Sequence, residues 1–83
     1  MIKHTEINAA ILRLYIRKGI VCIAGNIKLH IFGTLHCRSG KRIKKSNRMF
    51  FASKEEAAAI GYRPCGHCLK KEYLRWKHGS VQH

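Results

Sequence analysis

The stretch Arg63-Pro64-Cys65-Gly66-His67-Cys68 contains a C-x-x-C motif, which is the strongest signal for the fold of this chain. Two thiolates at this spacing can bind one tetrahedral metal ion because the backbone turns tightly between them. Gly66 is expected to give that turn its torsional freedom, and Pro64 to stiffen the approach. A structural zinc site needs further ligands from elsewhere in the chain, so the motif predicts half of a zinc site.

The other ligands must come from residues outside the motif. Cys37 lies in a polar loop rather than in an apolar run, which favours ligation over packing. Cys22 lies in an Ile-Val-Cys-Ile run, and we expect it to pack in the core. For the fourth place we favour His36. The alternatives are His67, His30, His4, Cys22 and a bound water. Idle or redox-active thiols are the competing interpretation of the C-x-x-C motif.

The charge of the chain is strongly unbalanced. The sequence of 83 residues has 17 Lys and Arg against four acidic residues, a formal net charge of +13. Such a charge favours a polyanionic partner, and we expect nucleic acid, with double-stranded DNA first. An acidic protein surface is the alternative. No apolar run approaches the roughly 20 residues needed to span a membrane.

The most basic segment runs from Thr34 to Asn47. An ordinary solvated loop is the simplest interpretation of this segment, which we call the basic loop. The density of its cations instead favours contacts with phosphates. The residues that we predict to contact nucleic acid are Arg38, Lys41, Arg42, Lys44, Lys45, Arg48 and, beside the motif, Arg63.

Hydrophobic patterning predicts one small α+β domain stabilised by zinc. We expect a helix capped by Thr5 and stopped by Gly19. A hairpin with arms at 20–24 and 28–32 follows, with Leu29 and Ile31 on one face and Phe32 on the other. The remaining predicted elements are a third strand at 48–51, a helix at 54–60 capped by Ser53, and a last helix at 68–77 with Leu69, Tyr73 and Trp76 on one stripe.

Within residues 1–83 we expect the helix and hairpin to occupy 5–32, the zinc-binding part 33–77 and a frayed tail 78–83. A chain this short has a small hydrophobic core and often needs additional stabilisation, such as a bound metal ion. Nothing like a secretory signal opens the sequence, so we expect a cytoplasmic protein with free or metal-bound thiols.

Residues Gly33 to Tyr73 resemble the metal-binding domain of the Ada family, the N-terminal module of a bacterial DNA repair protein of the alkylation response. The resemblance rests on Cys37-Arg38-Ser39, Asn47-Arg48-Met49-Phe50-Phe51, Ser53-Lys54-Glu55-Glu56-Ala57, Ala59-Ile60-Gly61 and Tyr62-Arg63-Pro64-Cys65-Gly66-His67-Cys68. It implies that zinc is bound by Cys37, Cys65 and Cys68. It also implies that Cys37 matches a nucleophile that accepts a methyl group from methylphosphotriesters in DNA. The family's second cysteine, in a C-x3-C pair with the first, is replaced here by Lys41.

The replacement of that cysteine changes the charge of the predicted site. Four thiolates on Zn²⁺ give a net charge of −2, whereas three thiolates and a neutral imidazole give −1, which weakens the nucleophile. We therefore expect a zinc-binding, nucleic-acid-binding module in which the zinc is structural. A stoichiometric DNA methyl acceptor and a zinc-stabilised protein-interaction module are the alternatives. The sequence leaves the oligomeric state open.

Overall fold

The molecule is an α+β domain, as the sequence predicts, and a computed structural model describes residues 1–38 and 42–79. Its described part contains a five-stranded sheet and three α-helices. The strands are β1 (Ile2–Lys3), β2 (Ile23–Asn26), β3 (Ile31–Thr34), β4 (Arg48–Phe51) and β5 (Arg63–Pro64). The helices are α1 (Ala9–Arg17), α2 (Lys54–Ala59) and α3 (Lys70–Gly79), with 3₁₀ turns at His4–Glu6 and Lys45–Asn47.

The sheet has the strand order β1-β4-β2-β3-β5. The pairs β1–β4, β4–β2 and β2–β3 are antiparallel. The pair β3–β5 is parallel, with Ile31 opposite Arg63 and Phe32 opposite Pro64. The strands β1 and β5 have two residues each and were not predicted, because so short a run has no detectable alternation.

The hairpin exists, but its turn lies further along the chain than predicted. The side-chain oxygen of Asn26 accepts from the backbone N–H groups of Lys28 (2.9 Å) and Leu29 (3.1 Å), and His30 has a φ of 56°. This Asx-type turn places Leu29 outside the strand, where its side chain is 62% exposed. Ile31 and Phe32 lie on opposite faces of β3, as predicted, but it is Phe32 that packs in the core, at 3% exposure, while Ile31 is half-buried.

The first helix begins later than predicted. Asn8 is its N-cap and accepts from the backbone N–H of Ala10 at 2.7 Å, whereas Thr5 lies in the preceding 3₁₀ turn. Both residue types are good caps, so sequence alone could not choose between them. Beyond the helix, the N–H of Gly19 donates to Ile16 O at 3.1 Å.

The second helix confirms its predicted cap. Ser53 Oγ accepts from the N–H of Glu56 at 3.1 Å, and Gly61 follows the helix with a φ of 93°. The third helix begins at Lys70 rather than at Cys68, because the chain from Gly66 to Cys68 forms the turn of the C-x-x-C motif. Of the predicted tail, 80–83 lies outside the described residues.

Two apolar clusters lie on the two faces of the sheet, because successive strand residues point in opposite directions. Phe51, fully buried, packs on the face covered by α2 and by Leu69. Phe50 packs on the other face, against Leu12 and Tyr15 of α1. Within 1–38 and 42–79, no helix combines the length and apolar character needed to cross a membrane.

Candidate metal centre

Two parallel strands bring the cysteines together. The strands β3 and β5 end at the same edge of the sheet, since they run in the same direction side by side. Cys65 follows β5 directly, and its N–H donates to Phe32 O at 2.8 Å. Cys37 follows β3 after a turn closed by its N–H and Thr34 O at 3.3 Å. Residues 28 positions apart in sequence therefore meet at one corner of the fold.

The three cysteines form one cluster. The Sγ atoms of Cys37, Cys65 and Cys68 all lie within 4.8 Å of one another. The Sγ atoms of Cys37 and Cys65 are 3.8 Å apart. Two thiolates bound to tetrahedral zinc at about 2.3 Å are separated by about 3.8 Å, so this spacing fits the metal. Cys37 and Cys65 are 6% and 7% exposed, and Cys68 is partly buried.

Backbone N–H groups donate hydrogen bonds to two of the sulfur atoms and so favour the negatively charged thiolate form. The N–H of Thr34 donates to Cys68 Sγ at 3.3 Å, and the N–H of His67 donates to Cys65 Sγ at 3.4 Å. Without a cation, burial raises the pKa of Cys68 to about 11. A divalent cation reverses this preference because it binds the thiolate form. The donor set, with its soft sulfur atoms and backbone N–H partners, fits zinc.

Gly33 is a part of this centre that the sequence analysis did not identify. A Cβ at this position would lie 2.8 Å from Cys68 Sγ and 3.3 Å from Cys65 Cβ. The cluster therefore packs directly on the backbone of β3, and only glycine leaves room for it. The sequence signal was present, a glycine four residues before Cys37, but it resembles any strand-ending glycine.

The expected role of Gly66 was wrong. Its φ is not in the positive region, where the described glycines Gly19 and Gly61 lie. A Cβ at position 66 would make an ordinary contact with the Tyr73 ring at 3.5 Å. The tight turn between Cys65 and Cys68 therefore does not require glycine.

The candidates for a fourth ligand lie in different places. Among the described residues, the cluster within 4.8 Å contains the three cysteines without a histidine. His36, next to Cys37, is exposed, and its ligation stays a prediction. His30 stacks on Tyr62 with ring centroids 5.0 Å apart, and His4 contacts Phe50 edge-on at 5.0 Å. His67 lines the cavity beside the cluster.

Cys22 lies outside the cluster, as predicted, but the reason we gave was wrong. Its side chain is exposed rather than packed in the core, and Sγ donates to Gly19 O at 3.3 Å. Cys22 directly precedes β2 and lies between the buried Val21 and Ile23, at the exposed position of their alternation. No disulfide joins the four cysteines, all of which lie among the described residues.

A cavity of about 490 Å³ adjoins the cluster. Cys37 and Cys65 form part of its wall, together with Arg63 of β5 and Tyr73 of α3. Ala24 and Gly33, register partners in β2 and β3, place it over one face of the sheet. Ile43, in the middle of the basic loop, also lines it. Ile43 therefore lies at the same cavity as the metal centre.

Most predicted nucleic-acid contacts flank this cavity in sequence or in space. Arg42 and Lys44 are exposed on either side of Ile43, and Arg38 is exposed next to Cys37. Lys45 is exposed in the following 3₁₀ turn, while Arg48 and Arg63 are half-buried in strands. Lys41 lies outside the described residues. The role of this set in binding stays a prediction.

The fold and the cluster define a small α+β domain that binds zinc through cysteines on adjoining strand ends. The family model described as the metal binding domain of Ada matches residues 18–70, well over half of the chain. The chain belongs to this family. The match begins after α1, so β1 and α1 lie outside it. Comparison with curated proteins and with solved structures returned no match.

Proposed function

We propose that this domain binds nucleic acid, with double-stranded DNA as the leading partner, through the basic loop and the cavity beside its zinc centre. One observation carries the proposal: Ile43 of the basic loop, Arg63 and Cys37 line the same cavity. The zinc centre holds β3, β5 and the start of the loop together. Arg42 and Lys44, exposed on either side of Ile43, can then contact phosphates beside the cavity.

The charge balance supports the same proposal. Glu56 and Glu72, two of the four acidic residues, form ion pairs with groups outside the loop. Glu56 contacts the N-terminal ammonium at 3.1 Å, and Glu72 contacts Lys54 at 2.7 Å. These pairs leave the loop's positive field uncompensated by either carboxylate. A field of this kind attracts a polyanion and falls off with added salt.

A salt titration with two matched variants tests the proposal. We expect random-sequence duplex DNA to bind with a log–log salt slope of about −0.9 for each phosphate neutralised. Replacing Arg42 and Lys44 by Gln should reduce that slope by about two units and weaken binding. The control replaces Arg13 and Arg17, two exposed arginines of α1 that line a separate depression, and removes the same charge.

The outcomes separate the competing interpretations. A loop variant that loses affinity while the α1 variant keeps it supports the proposal. Equal losses in both variants would show that net charge alone attracts DNA. If duplex DNA does not bind even at low salt, nucleic acid loses its leading place to an acidic protein partner. RNA duplex of the same sequence distinguishes the two polymers, because the 2′-hydroxyl and the A-form grooves alter the contacts.

We also propose His36 as the fourth zinc ligand, because it adjoins Cys37 in sequence and imidazole is a common partner of three thiolates. Zinc stoichiometry in His36→Ala, with Cys22→Ser as control, tests this ligand. Loss of tight zinc in the first variant and retention in the second is the expected result. Full retention of zinc in His36→Ala assigns the position to another group.

Stoichiometric methyl transfer is a second candidate function, favoured by the place of Cys37 in the cavity wall beside Arg63. In this reaction the Cys37 sulfur attacks the methyl carbon of a methylphosphotriester. The methyl C–O bond breaks, and the phosphate leaves as a diester anion that Arg63 is placed to stabilise. Zinc supplies a thiolate that stays deprotonated at neutral pH. Mass spectrometry after incubation with methylphosphotriester DNA tests it, since one added methyl on Cys37 is required.

A further inference from the structure

Arg63, Tyr73 and Trp76 form a continuous set of stacked planar groups at the edge of the cavity. The Arg63 guanidinium carbon lies 5.4 Å from the centre of the Tyr73 ring and 5.8 Å from that of Trp76. The two rings are themselves stacked, with centroids 6.0 Å apart and planes inclined by 27°. We call these three residues the aromatic platform.

The aromatic platform is open to solvent at one end. Trp76 is 44% exposed although it is the sole tryptophan and one of few large aromatic residues in the chain. The two apolar clusters of the core contain neither Tyr73 nor Trp76. At the other end, Arg63 and Tyr73 line the cavity beside Cys37. The platform therefore leads from the metal centre to the surface.

Two lysines of α3 lie on either side of the platform's aromatic rings. Lys70, Tyr73, Trp76 and Lys77 share one helix face by their spacing, and both lysines are exposed. Lys70 and Lys77 are separated by seven residues, or about 10 Å along the helix. This distance is close to the length of three stacked nucleotides in a strand. The acid of this helix, Glu72, is held by Lys54. Phosphates on either side of the rings would therefore meet positive charge.

We propose that the aromatic platform binds an unpaired nucleobase of a nucleic acid whose phosphates lie along α3 and the basic loop. Aromatic rings and an arginine plane between cations are the combination that single-strand-binding surfaces use, since every base has a π face. This inference rests on the proposed function and narrows the partner to nucleic acid with at least one unstacked base. A single strand, a gap or a strand end meets this requirement, whereas an intact duplex does not.

The sole tryptophan makes the test specific to this site. The probes are an oligothymidylate of about 10 nucleotides and an abasic oligomer of equal length and charge. The oligothymidylate should quench the fluorescence of Trp76, and the abasic oligomer should bind roughly 5- to 150-fold more weakly without quenching. Duplex DNA with a single-stranded tail should quench, and the same duplex with blunt ends should not.

Variants separate stacking from charge. Trp76→Ala should abolish the preference for the oligothymidylate and leave binding of the abasic oligomer and its salt slope unchanged. Trp76→Phe keeps an aromatic face and should retain most of the preference. Arg63→Lys keeps the charge but removes the plane, so it should reduce the preference as well. Zinc content and circular dichroism of each variant establish that it is folded, and the loss of preference in Arg63→Lys serves as the test if Trp76→Ala does not fold.

The results distinguish failure of this inference from failure of the proposed function. If both oligomers bind equally and the fluorescence of Trp76 is not quenched, the platform serves only in the packing of the domain. The inference is then wrong, while the proposed function stands. If no oligomer and no duplex binds, both are wrong. Quenching by an acidic peptide of equal charge, at similar affinity, would also overturn the nucleobase as the occupant.

Discussion

Replacing Gly33 by alanine tests whether the backbone of β3 (Ile31–Thr34) shapes the zinc centre. The added Cβ would lie 2.8 Å from Cys68 Sγ, closer than real Cβ atoms approach a sulfur, and 3.3 Å from Cys65 Cβ. Without metal, Cys68 can rotate away from the new methyl group. With metal bound, the sulfur is held, so the strain falls mainly on the zinc-bound state.

The size of the effect follows from the cost of overpacking. One extra methyl group in a filled site costs about 1–3 kcal/mol. If this cost falls on the bound state alone, the dissociation constant of zinc rises by roughly 5- to 150-fold. Competition against a chromophoric zinc chelator at fixed pH measures this constant. The melting temperature should fall more in the zinc-loaded protein than in the chelator-treated protein.

Gly66→Ala is the matched control, because the same methyl group is added next to the same cluster. Its Cβ would contact Tyr73 at 3.5 Å, an ordinary distance, and its φ is not positive. We expect a change in zinc affinity within about twofold, as for an unstrained surface substitution. Unaltered zinc affinity in Gly33→Ala would refute the reasoning, as would equal losses in the two variants.

Three further predictions concern the thiols, the core and the pH dependence. Cys65→Ser should lose tight zinc binding while Cys22→Ser keeps the wild-type stoichiometry, measured by metal analysis after gel filtration; zinc loss in the second variant would contradict the assigned cluster. Phe51→Ala should lower the free energy of unfolding by about 3–5 kcal/mol in urea, because its side chain is fully buried. Burial, followed by the charges of Arg48 and Lys45, lowers the pKa of His4 below its ordinary value of 6.5. As the pH falls through this region the unfolded chain therefore binds a proton before the folded chain does, and stability falls. The melting temperature of His4→Phe minus that of wild type should rise on acidification, and a flat or falling difference would show that the folded ring is protonated normally.

Local chemistry was sufficient to predict elements whose ends have strong signals. The strand at Arg48–Phe51 and the cap of α2 (Lys54–Ala59) by Ser53 were predicted from neighbouring residues alone. The hairpin turn was displaced because the Asn26 side chain binds two backbone N–H groups, a competing turn signal that the alternation did not reveal. The cap of α1 (Ala9–Arg17) moved from Thr5 to Asn8 since both are favourable cap residues.

The class of this protein could be predicted from residue spacing and composition. The C-x-x-C spacing, a third cysteine in a polar loop and a charge of +13 predict a zinc-binding basic domain before any contact is known. The cysteine spacing is local in sequence, and the net charge is a sum over all residues. Neither signal depends on how the chain folds. The family match over residues 18–70 rests on the same kind of information.

The assembly of the site depends on contacts between segments that are distant in sequence. The parallel pairing of β3 with β5 (Arg63–Pro64) places Cys37 and Cys65 at 3.8 Å, and the bare backbone of Gly33 lets the cluster pack on the sheet. The packing of α3 (Lys70–Gly79) beside β5 places Arg63 5.4 Å from the centre of the Tyr73 ring. Cys37 and Cys65 are 28 positions apart, and a pattern along the chain does not specify which distant segments pair in the sheet.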